Sequence, residues 1–123
     1  MGKKILLVDD EQDIVTVVTA RLKANDYEVI VAYDGEAALE MAKTQNPDLI
    51  ILDLMLPKMD GYKVCGLLKN DVRYSKIPII MFTARAQEED VLLGKEMGAD
   101  DYITKPFDSM VLLEKISLLI SKE

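Results

Sequence analysis

The sequence predicts an α/β fold, a doubly wound parallel sheet of (βα)5 order in which each strand is followed by a helix. Three observations carry this reading. Short apolar runs alternate with helix-period segments along the chain. The runs show no polar alternation, as expected of strands covered on both faces. The polar residues that stand out gather just after the runs, where an open parallel sheet places its ligand site.

The strands are expected at 5–8, 29–32, 49–52, 79–82 and, more weakly, 102–104. Helices are expected near 12–25, 36–45, 61–70, 88–97 and 108–121. The first run, Ile5-Leu6-Leu7-Val8, leads directly into Asp9, Asp10 and Glu11. The second passes through Tyr33 into Asp34-Gly35, a helix cap, and Asn46-Pro47 turns the chain into the third. Asp60-Gly61 opens the third helix. Pro78 disfavours helix in the residue before it, so the fourth run reads as strand. Gly98-Ala99 marks the turn before the fifth strand, and Asp108 caps the last helix. In that helix Leu112, Leu113, Ile116, Leu119 and Ile120 form a one-sided stripe that reads as core.

A chain of 123 residues, half of them hydrophobic, suits one domain over 1–123 with an adequate core. No internal repeat, linker or low-complexity segment interrupts it. Fifteen basic residues against 22 acidic ones give a net charge of −7, which disfavours direct contact with nucleic acid or an anionic membrane. The single cysteine, Cys65, permits no internal disulfide, and its place among Val64 and Leu68 suits an inert packing thiol. No run is long enough for a membrane span or a signal peptide, and Leu6 stands where a myristoylation motif needs Ser or Thr. The chain is therefore expected in the cytoplasm. It contains no histidine, so its own chemistry falls to carboxylates, hydroxyls, lysines, a thiol or a metal.

Right-handed crossovers and a 2-1-3-4-5 strand order make the first and third strands neighbours at the switch point. Asp9 and Asp10 then meet Asp53, with Thr83 after the fourth strand and Lys105 after the fifth. Taken singly, each has a modest reading: the acids after the first strand as helix caps, Asp53 as a loop acid, Thr83 as a turn hydroxyl, Lys105 as a surface charge. Their agreement on one pocket favours a shared site. Clustered carboxylates need a counter-charge, and hard oxygen ligands suit Mg2+ or Mn2+ better than zinc. A carboxylate left free could act as a nucleophile toward phosphorus, with the hydroxyl and the lysine on the phosphoryl oxygens.

These residues resemble the receiver domain of two-component response regulators over essentially the whole chain. The resemblance is carried by VDDE at 8–11, DLMLPKMDG at 53–61, TA at 83–84 and GADDYITKPF at 98–107. It implies a flavodoxin-like fold with Asp53 as phosphoacceptor. It also implies that Asp10, Asp53 and the backbone carbonyl of Met55 bind Mg2+, with Asp9 assisting through water. Thr83 and Tyr102 would form the switch: the hydroxyl moves to the phosphoryl group, the ring turns inward, and Lys105 is the third anchor. The peptide before Pro106 is cis in the family. The phosphoryl donor would be a histidine of a partner kinase or phosphotransfer protein.

Ala84 is small enough to let a donor approach, while Met55 and Arg85 are placed to overhang the pocket and tune dephosphorylation. Output is expected through the surface of the fourth and fifth predicted helices and the fifth strand. Relatives joined to winged-helix DNA-binding domains carry opposed charges there. This chain has Val91 and Val111 instead, with Lys95, Glu114 and Lys115 nearby, which argues against a symmetric dimer of that type. Two other readings compete with the switch. A pseudo-receiver that only binds protein would not need the full acid set with Thr83 and Lys105. A Mg2+-dependent phosphohydrolase would space its first two acids by one residue, whereas Asp9 and Asp10 are adjacent.

Overall fold

A computed structural model of the chain describes residues 2–83, 98–105 and 107–121. The strands are β1 (Lys4–Val8), β2 (Glu28–Ala32), β3 (Leu49–Asp53), β4 (Ile79–Thr83) and β5 (Asp101–Thr104). The helices among these residues are α1 (Gln12–Ala24), α2 (Gly35–Gln45), α3 (Gly61–Lys69) and α4 (Ser109–Ser121), the last being the helix expected at 108–121. The helix expected near 88–97 lies outside the described residues, as do Ala84, Arg85, Val91, Lys95 and Pro106.

All four strand pairings are parallel, and the sheet order is β2-β1-β3-β4-β5. The predicted reversal therefore falls between β1 and β3. The pleat sends alternate residues of each strand to opposite faces, and each face has its own core. On one side Leu6, Val8, Ile50, Leu52, Ile79 and Met81 pack with Ala38 and Ala42 of α2 and Val64, Cys65 and Leu68 of α3. On the other, Ile5, Leu7, Leu49, Ile51, Ile80 and Phe82 meet α1 and α4 through Val15, Val18, Leu22, Leu112 and Ile116. Leu113, Leu119 and Ile120 of the α4 stripe pack at the margin of this second core. Burial pushes the Cys65 thiol up to about 11, as suits a packing residue, with the charges of Lys69 and Asp100 as smaller, opposed influences.

The helix starts follow the local chemistry. Asp34 accepts a hydrogen bond from the Ala37 N–H at 2.8 Å, and Asp60 one from the Lys63 N–H at 2.9 Å. Asp108 does the same for the Met110 N–H at 2.8 Å. Asn46 closes α2 in a left-handed conformation, and Gly98 takes a φ of 96° in the turn before β5. One expectation needed correction. β2 is only partly buried, because sheet order puts it at an edge where one flank stays open. Glu11 occupies the N-cap position of α1, yet its side chain makes no capping hydrogen bond.

Candidate phosphoryl-transfer site

The site follows from strand register. β1 and β3 pair up to Val8 opposite Leu52, so the next residues, Asp9 and Asp53, emerge side by side. Asp53 in turn pairs with Phe82 of β4, which places Thr83 one step beyond it at the strand end. Thr83 pairs with Thr104, and Lys105 follows. Four strand ends thus deliver the predicted residues to one edge of the sheet.

Asp9 is fully buried and Asp53 nearly so, while Asp10 is exposed. One carboxylate oxygen from each of the three lies within 4.8 Å of the others. The ammonium of Lys105 reaches into the group, 2.8 Å from Asp9 Oδ2 and 3.2 Å from Asp53 Oδ2. It also sits 5.0 Å from the centre of the Phe82 ring, whose face attracts cations. Phe107 braces that ring edge-on at 5.3 Å between centroids.

The backbone locks both buried acids. Asp9 Oδ1 accepts from the Glu11 N–H at 2.9 Å, and Asp53 Oδ1 from the Met55 N–H at 3.2 Å. Leu54 O accepts from the Gly61 N–H at 3.0 Å, drawing the start of α3 against the strand end. A Cβ at position 61 would overlap the Asp53 carbonyl oxygen, so the site requires glycine there.

Charges here are strained. Burial, and then the neighbouring Asp9, push the Asp53 carboxyl up to about 6; Lys105 and the Met55 N–H pull the other way. Burial alone would lower the Lys105 ammonium, but contact with Asp9 and the charge of Asp53 outweigh it, and the group is held above its ordinary value. Asp9 Oδ2 is close to Lys105, yet the pair is poorly aligned and the oxygen has no hydrogen bond. A buried, under-satisfied carboxylate oxygen beside two more carboxylates is what a hard divalent cation satisfies, and the donor set fits Mg2+ or Mn2+.

Of the other predicted residues, Tyr102 lies partly buried on β5, packed against the α2/α3 core. Met55 is exposed, two residues after Asp53. Sequence reasoning missed the placement of Glu11. Its side chain turns across to Lys105, with Oε1 at 3.2 Å.

Comparison with known proteins agrees with this geometry. A family model described as the response regulator receiver domain matches residues 5–117. The chain belongs to that family. It is 48% identical over 122 residues to the alkaline phosphatase synthesis transcriptional regulatory protein PhoP of Bacillus subtilis. That match takes in 99% of this chain and 50% of PhoP, so the chain spans about half the length of the curated relatives it matches. Among solved structures, the chemotaxis response regulator CheY4 of Vibrio cholerae superposes with a TM-score of 0.90 at 33% identity, covering 97% of this chain and 99% of that one. A receiver domain of a signal transduction histidine kinase from Syntrophus aciditrophicus gives 0.92 at 34%, with 98% and 92% covered. The flavodoxin-like fold expected from the sequence is shown. This receiver is a two-component signalling domain rather than an enzyme of the ordinary kind. No helix among the described residues is long and apolar enough to cross a membrane.

Proposed function

We propose that the chain, over 1–123, is a receiver that accepts a phosphoryl group from a partner phosphohistidine onto Asp53 in a Mg2+-dependent reaction and changes conformation to control output. The observation that carries this is the buried Asp53 carboxylate, with Lys105 at 3.2 Å and two further acids beside it. A carboxylate oxygen attacks phosphorus, forming a P–O bond as the P–N bond of the donor breaks. The donor imidazole, protonated on its other nitrogen, leaves as neutral imidazole with the electron pair.

Asp10, Asp53 and the Met55 carbonyl would hold Mg2+, with Asp9 assisting, and Mn2+ would also suit these ligands. When bound, the ion offsets the clustered acids and the charge gathering on the transferred oxygens. Lys105 pairs with one phosphoryl oxygen as a point charge. The Thr83 hydroxyl takes another, and Tyr102 turns inward as Thr83 moves, so phosphorylation biases a two-state element. Met55 and Arg85 tune the lifetime of the adduct. The chain assists its own phosphorylation and dephosphorylation and needs no separate turnover substrate.

Receivers of response regulators work with histidine kinases and output domains. For this chain the donor is a histidine kinase or a histidine phosphotransfer protein in the cytoplasm. Output passes through the surface that includes β5 and α4, without direct contact to nucleic acid or membrane. The pseudo-receiver alternative is disfavoured by the complete acid set together with Thr83 and Lys105. Intact mass after incubation with Mg2+ and acetyl phosphate tests the chemistry. One phosphoryl adduct is expected, absent in Asp53→Asn and without Mg2+. No adduct in rapidly quenched samples would refute it.

A further inference from the structure

The geometry points to Glu11 as a positioning residue: it holds Lys105 in the unmodified state and must release it when Asp53 carries a phosphoryl group. This rests on the function proposed above. Lys105 has three N–H donors and faces three carboxylates, Asp9 at 2.8 Å and Glu11 and Asp53 at 3.2 Å. It hydrogen-bonds Glu11 and Asp53 and sits in ion-pair contact with Asp9, so a phosphoryl oxygen that takes Lys105 must compete with these acids for it.

Burial decides which acid yields. Asp9 is fully buried, so water cannot take the place of the ammonium beside its Oδ2. Asp53 bears the phosphoryl group and stays beside the lysine. The Glu11 side chain is 61% exposed, so water replaces the ammonium at little cost. Two backbone features set this up. The Glu11 N–H is pinned to Asp9 Oδ1 at 2.9 Å, and its C=O accepts from the Val15 N–H at 3.0 Å. At an N-cap the side chain ordinarily turns to its own helix; here it makes no such bond and crosses to a lysine 94 residues away. Glu11 thus competes with the phosphoryl group for Lys105, and its removal favours the phosphorylated form.

The test compares wild type, Glu11→Gln and Asp13→Asn at saturating Mg2+. Asp13 is an exposed acid in the first turn of α1, and its variant removes the same charge. The readouts are the affinity for beryllofluoride, a phosphoryl mimic that adds to carboxylates, and the rate of adduct formation with acetyl phosphate. Glu11→Gln should bind beryllofluoride up to about fivefold more tightly than wild type, the range expected of an exposed ion pair. Glu11→Asp, too short to reach Lys105 in the same way, should also gain. Asp13→Asn should stay near wild type. Equal gains in Glu11→Gln and Asp13→Asn would show a general charge effect and overturn the proposal, as would no gain or weaker binding in Glu11→Gln. If wild type forms no adduct and binds no beryllofluoride, the function itself fails and this inference with it. A responsive wild type with an unresponsive Glu11→Gln defeats the inference alone.

Discussion

Lys105 Nζ lies 2.8 Å from Asp9 Oδ2, a lysine from the end of β5 against a fully buried acid from the end of β1. The contact spans the sheet's switch point and is the main offset to the site's negative charge among the described residues. Truncating one partner of a buried ion pair typically costs about 3–5 kcal/mol, because the other charge is left without compensation. Lys105→Ala should therefore lower unfolding free energy in cation-free urea titrations by about that amount. Millimolar Mg2+ should restore part of the loss, since a cation can replace the ammonium. An undiminished stability in the absence of cation would show that Lys105 is not what balances Asp9 and Asp53.

Asp53 makes the opposite prediction. Its carboxyl is raised from 3.8 to about 6, chiefly by burial and then by Asp9. Between those values the folded protein holds a proton that the unfolded chain releases, so stability falls as pH rises through this window. Above about pH 7 the full penalty applies; below about pH 4 it is absent. Asp53→Asn removes the ionisation. The variant should be more stable than wild type at pH 7.5 by about 1–3 kcal/mol, with the gap closing as pH falls toward 4. Chemical denaturation at several pH values checks this, and a pH-independent difference would contradict it.

Cation affinity should carry the same signature. A divalent ion bound at Asp10 and Asp53 must displace the proton that Asp53 holds below about pH 6. Mn2+ binding, followed by paramagnetic resonance, should hold steady above pH 7 and weaken by about tenfold per pH unit well below 6. Asp10→Ala should reduce affinity at every pH while keeping the folded state intact, since Asp10 is exposed. Affinity that ignores pH from 5 to 8 would place the ion elsewhere.

What the sequence made legible was whatever depends on short range. An apolar run ending in acids is a strand arriving at a site, and an Asp-Gly pair is a helix start, so Asp9, Asp53, Asp34 and Asp60 could be placed by reading along the chain. Strand order came from taking 2-1-3-4-5, one of the common doubly wound orders, and Lys105 joined the site with it. Contacts decided by three-dimensional reach stayed hidden. Glu11 reads as a cap, and only the position of Lys105 shows why it is not one. β2 reads as a buried run like β3, and only its edge position leaves it half open. Lys69 is the last residue of α3, and nothing local to it shows that its ammonium is largely enclosed.

That enclosure gives the final prediction. Lys69 Nζ donates to Ile77 O at 2.7 Å, Asp100 Oδ2 at 2.8 Å and Ser75 O at 3.2 Å. Asp100 Oδ2 accepts in addition from the Ile79 N–H at 2.8 Å. One ammonium thus ties the end of α3, the loop before β4 and the turn before β5 together. Ile79 begins β4, so this node lies at the opposite end of the sheet from Asp53 and Thr83. Lys69→Met keeps the stem beside Gly98 but leaves two carbonyls and a carboxylate without their donor. A loss of about 2–4 kcal/mol is expected from the stranded acceptors. Because the node touches none of the site residues, Mn2+ affinity and the yield of acetyl phosphate adduct should stay at wild-type values under conditions where the variant is folded. A destabilised variant with weakened cation binding would mean that the two ends of the sheet are coupled, and that Lys69 acts on the site through β4.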